Sequence, residues 1–170
     1  MPFDVSKVAV HGEVGSGATG RVWRGELTEA TDGVPAGTAV AVKRLHPALR
    51  SDPAALASLQ LEMEIGASVR HPGLARALAT GVDADGPWLV AILVPGRTLR
   101  EVLSEDGPLP EPLLRSVAAS VSGGLAALHA GGWVHGDVKP ENMRLDDAGR
   151  AVLLDMGFAR RVPGSRGRRG

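Results

Sequence analysis

Apolar and polar positions along this chain alternate first with the period of strands and only later with that of helices. Residues 8 to 27 carry short apolar–polar alternations around a glycine cluster, and Arg21-Val-Trp-Arg-Gly-Glu-Leu27 alternates as a strand does, with Gly25 opposing a helix. Residues 28 to 37 are a polar Gly/Pro turn region, after which Thr38-Ala-Val-Ala-Val-Lys43 reads as a β-branched strand. Ser51-Asp52-Pro53 opens a helix with a capping side chain and a first-turn proline, and the helix runs to about Val69, before His71-Pro72. Residues 74 to 82 and 88 to 93 are two further strand candidates, parted by Asp83-Ala-Asp-Gly-Pro87. Residues 98 to 104 predict a short helix and 110 to 130 a longer one. In the longer helix Leu114, Val117, Val121, Leu125 and Leu128 recur at three- and four-residue steps, a core-packing stripe, and Gly131-Gly132 ends it.

Residues 131 to 160 organise the rest: a tight loop, a two-stranded hairpin and a second tight turn. The first loop holds Asp137, Lys139 and Asn142; Pro140 biases Lys139 away from helical dihedrals. Met143–Leu145 and residues 151 to 154 are strand candidates joined by Asp146-Asp-Ala-Gly149. The second strand ends on Asp155, followed by Met156-Gly157, so the open end of the hairpin brings Asn142 and Asp155 close. Two oxygen ligands there, with the carboxylate of Asp137 nearby, suit a hard cation such as Mg²⁺ on a phosphate substrate.

Upstream, Gly15-x-Gly17-x-x-Gly20-x-Val22 fits a glycine-rich hairpin whose bare backbone can approach phosphates. A dinucleotide-binding turn needs a helix straight after it, and a strand pattern follows here. A merely flexible turn and a solvated edge lysine at Lys43 are the plain alternatives. In the first long helix Glu62 has Leu59, Ile65 and Gly66 at neighbouring helical spacings, whereas Glu64 has Gln60 and Ser68.

Composition narrows the picture. The 170 residues amount to one ordinary domain, with 44% hydrophobic residues but only 3% aromatic and no Tyr, so the core is built of Leu, Val and Ala. Nineteen charges of each sign cancel, which gives no general argument for nucleic acid, and no nucleic-acid partner is expected. The absence of Cys excludes disulfides and thiolate metal sites. No basic region followed by a long apolar run opens the chain, and no stretch approaches ~20 uninterrupted apolar residues, so the expectation is a cytoplasmic, non-membrane protein.

His135-Gly136-Asp137-x-Lys139-x-x-Asn142 and Asp155-Met156-Gly157, joined by a hairpin, resemble the catalytic loop and metal-binding turn of protein kinases, in the bacterial Ser/Thr branch. The resemblance covers roughly residues 8 to 162. It implies an α+β fold: an N-terminal antiparallel five-stranded sheet with one packed helix over residues 1–94, and an incomplete helical C-terminal lobe over 95–162. A disordered basic tail is expected at 163–170. The nucleotide would lie in the cleft between the lobes. Val40-Ala-Val-Lys43 would place Lys43 on the α- and β-phosphates of ATP, paired with Glu62, which stands nine positions before His71 as the family's ion-pair glutamate does. Gly15, Gly17 and Gly20 would cover the phosphates, and Val14, Val22 and Ala41 would roof the adenine. Ala91 takes the gatekeeper place, while the Ile92 carbonyl and Val94 amide face the adenine edge; a plain core strand is the alternative there. Asp137 would orient or accept the hydroxyl proton of a protein Ser or Thr, Lys139 would neutralise the γ-phosphate, and Asn142 and Asp155 would hold Mg²⁺.

Four departures accompany the resemblance. Gly136 replaces the usual arginine, Met156 replaces phenylalanine, and Arg144 stands where the family has an apolar floor under adenine. The chain also stops fifteen residues after Asp155, which implies a truncated kinase. Gly66 takes the place of a bulkier residue that packs on the metal-binding turn, so a thin contact and a mobile helix are expected. The exposed stripe of the long helix would then be covered by self-association or by another protein. The alternative function is a nucleotide-binding or interaction module that transfers nothing.

Overall fold

The computed structural model describes residues 5–146 and 148–162; the tail expected at 163–170 lies outside them. The chain divides into two units, Met1–Ala67 with Arg76–Leu93, and Ser68–Ala75 with Val94–Gly170.

The first unit is built on one antiparallel sheet of β1 (Val8–Ser16), β2 (Gly20–Leu27), β3 (Ala39–Leu45), β4 (Ala77–Asp83) and β5 (Gly86–Ile92), in spatial order β1-β2-β3-β5-β4. Strand alternation sends the side chains of this sheet to two faces. Val40, Val42, Trp88 and Val90 turn to one face, where Val8, Leu27, Val34 and Leu78 close a core. Leu45, Ala77 and Leu89 turn to the other, under the helix α1 (Pro53–Ser68) and its Ala55 and Leu59. The helix starts where the Asp52 carboxylate accepts the Ala55 N–H at 2.9 Å, with Pro53 as first residue. At ~1.5–3 kcal/mol for each fully buried aliphatic, these two layers hold the sheet together.

Gly66 sets how closely α1 lies on the sheet. It is buried, and an added Cβ would stand 2.7 Å from the Ala77 Cβ and 2.9 Å from the Ala77 N. Glycine here permits close approach of α1 to β4 within the first unit, so the contact it makes on the sheet is tight.

The second unit starts with β6 (Arg97–Thr98) and α2 (Leu99–Glu105). Thr98 caps α2 reciprocally: its hydroxyl accepts the Glu101 N–H at 3.1 Å and the Glu101 carboxylate accepts the Thr98 N–H at 2.7 Å. The long helix α3 (Glu111–Ala130) leads into β7 (Trp133–Val134), β8 (Met143–Leu145), β9 (Ala151–Leu153) and β10 (Arg160–Arg161). β8 lies between β6 and β9, and β10 pairs with β7. The segment Ser68–Ala75 joins this unit because its backbone completes β9: Leu153 N–H donates to Gly73 at 2.9 Å and Ala75 N–H to Leu153 at 2.8 Å. The strand expected from residue 74 therefore begins only at Ala77. A contiguous division at residue 94 misses this excursion.

The α3 stripe is split. Val117, Val121 and Leu128 are buried, Leu125 is half-buried, and Leu114 is 53% exposed. By length and composition α3 is also apolar enough to cross a membrane, the one such helix among the described residues. Its buried side belongs to the unit's core.

Candidate functional site

In the first unit the polar group of interest is the end of β3. Val22, Lys43 and Leu89 are cross-strand partners in one row, and Ala41 and Ala91 are partners in the next. Partners across an antiparallel ladder share a face, so Val22, Ala41 and Ala91 flank Lys43 on the α1 side. Lys43 Nζ donates to Glu62 Oε2 at 3.2 Å, with the two side chains only 16% and 11% exposed. Glu64, one turn face away, is exposed. The apolar environment inferred for Glu62 from its helical neighbours is what the helix presents to the sheet.

The β1–β2 hairpin carries Gly15 and Gly17 at its end, where an added Cβ would meet no atom within 4 Å. Val14 is 50% exposed. Gly17 N–H donates to Gly20 at 2.9 Å, closing the turn. Ile92 N–H donates to Arg76 at 2.9 Å, and its side chain packs with the opposite core layer. Val94 belongs to the second unit.

In the second unit one loop gathers Asp137, Lys139 and Asn142. Lys139 Nζ lies 2.6 Å from Asp137 Oδ2, and Asn142 Nδ2 donates to the same oxygen at 2.8 Å and to the Asp137 carbonyl at 2.9 Å. The Lys139 ammonium, and after it the Asn142 amide, hold the Asp137 carboxyl below the usual carboxylate range. The same bond holds Lys139 above the usual amine range.

His135, 1% exposed, ties this loop to the next. Its Nε2 lies 3.1 Å from the Leu154 carbonyl, and for a bond there it must carry the hydrogen. Nδ1 is then the acceptor for the Asp137 N–H at 3.3 Å. Burial pushes the imidazole below its ordinary range and keeps it neutral. Leu154 N–H donates to the Asn142 carbonyl at 2.8 Å, so residues 142 and 154 are bound directly. Asp155 follows with φ +57, a left-handed conformation unusual for a residue with a Cβ, and its Oδ1 accepts the Gly157 N–H at 3.2 Å. Strain of this kind, of order 1–3 kcal/mol, persists where the surroundings over-determine a side chain's direction.

Gly136 adopts φ +84, and a Cβ there would lie 2.4 Å from the Phe158 carbonyl oxygen. The residue that departs from the expected arginine is thus where the two loops touch. Arg144, on β8 between Thr98 and Val152, donates from Nη2 to the Gly96 carbonyl, while its Nε is buried without a partner. The nearby charge of Glu101 is lowered in pKa by its Thr98 bonds first and by Arg144 among lesser causes.

The ligand set fits a hard divalent cation. Asn142 spends its amide nitrogen on Asp137, which leaves the side-chain oxygen, and Asp155 contributes a carboxylate; both are oxygen donors. Among the described residues no three His, Cys, Asp or Glu side chains converge, so further ligands would be water and phosphate oxygens.

A family model described as "Protein kinase domain" matches residues 8–168. The chain belongs to the protein kinase family. Among its relatives, the serine/threonine-protein kinase PknL of Mycobacterium tuberculosis is 38% identical over 157 residues, 92% of this chain and 38% of the relative. The serine/threonine-protein kinase PkaA of Streptomyces coelicolor is 35% identical over 164 residues, 91% of this chain and 30% of its own length. The probable serine/threonine-protein kinase PknB of Corynebacterium glutamicum is 36% identical over 141 residues. This kinase chain therefore spans less than two-fifths of the length of the curated relatives it matches.

Sequence reasoning undervalued two parts of the kinase loops. His135 entered as a motif letter, although it bridges Asp137 and Leu154; its signal was a lone histidine after the apolar Trp133-Val134 pair. The second is Arg161, whose guanidinium stacks 3.8 Å above the Trp133 ring and fastens β10 to β7. No spacing rule reveals that pair.

Proposed function

We propose that this chain transfers the γ-phosphoryl group of Mg-ATP to a Ser or Thr hydroxyl of a protein. The observation that supports it most is the cluster of Asp137, Lys139 and Asn142 around one carboxylate oxygen, bound through Leu154 to the turn of Asp155. Phosphoryl transfer asks little covalent chemistry of a protein and much positioning and charge neutralisation. Asp137, ionised and held by two donors, orients the acceptor hydroxyl and takes its proton. Lys139 sits beside that oxygen, ready to pass its charge to the phosphate; a lysine two places after the aspartate supports the Ser/Thr branch. Asn142 and Asp155 would hold Mg²⁺, whose chemistry when bound is to neutralise phosphate oxygens. Lys43, steadied by Glu62, binds the α- and β-phosphates, and Gly15, Gly17 and Gly20 leave backbone bare for them. Ala41, Val22 and Ala91 offer the purine small apolar contacts. The relatives' names, all serine/threonine-protein kinases, support the same reading. The supply of ATP puts the reaction in the cytoplasm, with protein substrates there.

A nucleotide-binding module without transfer is the second reading. Arg144 favours it, since a guanidinium takes the place of an apolar floor under adenine. One assay separates the two: the chain with γ-labelled ATP, Mg²⁺ and mixed Ser, Thr and Tyr peptides, beside Asp137→Asn. Label on Ser or Thr that vanishes in Asp137→Asn and in EDTA supports transfer. Nucleotide binding with no label in any peptide refutes it.

A further inference from the structure

The tip of the glycine-rich hairpin is fastened from outside its own two strands. His46, just beyond β3, holds it twice: His46 N–H donates to the Thr19 carbonyl at 3.1 Å, and ring Nε2 lies 2.7 Å from the Gly17 carbonyl. A carbonyl only accepts, so Nε2 carries a hydrogen in this bond, as it does in one neutral tautomer and in the cation alike. Inside the turn the Gly17 N–H also bonds the Gly20 carbonyl at 2.9 Å, but an added Cβ at Gly12, Gly15 or Gly17 would meet nothing within 4 Å, so packing does not fix these glycines. All peptide bonds here are trans, so the carbonyl and N–H of one unit point in opposite directions. Fastening the Gly17 carbonyl to His46 therefore turns the Ala18 N–H away from the imidazole. A backbone amide at a glycine-rich tip, aimed outward, is a donor suited to a phosphate oxygen.

We propose that His46 is a positioning residue for the polyphosphate of the nucleotide, presetting the Gly17–Ala18 peptide so that the Ala18 amide is aimed before ligand arrives. This rests on the kinase reading of the site. Without the imidazole the tip must be ordered on binding, and that cost falls on ligands that carry phosphates beyond the first.

The test measures equilibrium binding of ATP, ADP and adenosine to the whole chain and to His46→Ala, His46→Gln and His46→Leu, each first checked for an unchanged melting temperature. His46→Gln keeps an N–H donor at comparable reach; the other two do not. The expected result is a weakening of ATP and ADP of about fivefold or more in His46→Ala and His46→Leu, with adenosine unchanged and His46→Gln near wild type; fivefold corresponds to ~1 kcal/mol, the net worth of one hydrogen bond. Equal losses for adenosine and ATP overturn the proposal, as does an alanine variant that binds ATP like wild type. A wild-type chain that binds neither ATP nor adenosine overturns the nucleotide reading itself, a result distinct from the other two. Amide exchange at Gly17, whose N–H bonds the Gly20 carbonyl, adds an independent readout in the free protein: faster in His46→Ala if the ring presets the tip, unchanged if it does not.

Discussion

Asn142 and Asp137 share a side-chain hydrogen bond of 2.8 Å, and the same amide also reaches the Asp137 carbonyl at 2.9 Å. One side chain therefore sets both the backbone and the carboxylate of the loop, while the carbonyl of residue 142 holds Leu154 and hence the approach to Asp155. The carboxylate that would meet the acceptor and the two oxygens that would meet the cation are positioned by one residue.

Replacing Asn142 by Ala should accordingly harm turnover more than stability. A buried hydrogen-bonded group loses its partner, at about 1–3 kcal/mol. A shift of ~1 Å at Asp137 is enough for a loss of ~100-fold in rate. Steady-state phosphorylation beside thermal melting checks this; a rate within a few-fold of wild type would show that Asp137 holds its place alone.

His135 should make the protein acid-sensitive. Burial lowers its folded pKa, so below the ordinary imidazole range, ~6.5, the unfolded chain binds a proton that the folded one refuses. More protons on the unfolded state mean that stability falls as pH falls. Asp137 acts in the same direction further down, since its lowered pKa contributes stability above the usual carboxylate range that is lost in acid. His135→Gln should flatten the slope just below the ordinary imidazole range while leaving the one at lower pH. Urea melts at stepped pH read this directly, and an unchanged slope would mean that His135 is not the group responsible.

The sheet, both long helices and the hairpin were legible because their signals are local. Proline after Asp52, β-branched runs and Gly131-Gly132 each act within a few residues. The Lys43–Glu62 pair was legible through helical spacing, since the neighbours of Glu62 are the residues that α1 turns to the sheet. What stayed hidden depends on contacts between distant segments. Gly66 is small because Ala77 lies against it, Gly136 because Phe158 does, and Ser68–Ala75 joins the second unit because Leu153 needs backbone partners. His46 gave no signal at all, as its partner is 29 residues away on a hairpin tip.

The ion pair of Lys43 and Glu62 can be separated into structure and function. Glu62→Gln leaves an ammonium only 16% exposed beside a neutral amide, a loss of roughly 1–3 kcal/mol. Lys43→Met with Glu62→Leu removes both charges from the same place and should recover most of that stability, because two apolar groups need no partner. It should recover no phosphoryl transfer. A double variant that melts as low as Glu62→Gln would refute the argument.

Gly136 cannot simply be returned to the arginine usual in the family. At φ +84 a Cβ costs roughly 1–2 kcal/mol in backbone strain and would lie 2.4 Å from the Phe158 carbonyl oxygen. Gly136→Ala should therefore lower both melting temperature and activity, and Gly136→Arg should do no better. With no guanidinium at this position, phosphatase treatment should leave the activity unchanged. A drop after treatment would assign the phosphate to another cation.

The stripe of α3 supplies the sharpest contrast in the molecule. All five apolar positions share a helical face by spacing, yet Leu128 is 0% exposed and Leu114 is 53% exposed. Truncating Leu128 opens a cavity, so Leu128→Ala should cost about 2–5 kcal/mol, a large part of the ~5–15 kcal/mol that holds a domain together. Leu114→Ala removes surface already in water and should stay within ~0.5 kcal/mol. With Val117, Val121 and Leu128 buried, the apolar surface left for association is smaller than the whole stripe would present. If copies of this chain associate through α3, Leu114 is the residue that must be covered, and Leu114→Lys should shift light scattering toward the monomer with no change in melting of the dilute protein. Scattering that ignores Leu114→Lys would place any association elsewhere, and a Leu128→Ala variant that melts like wild type would show that α3 is not packed against β7 and β9, its neighbours in the second unit.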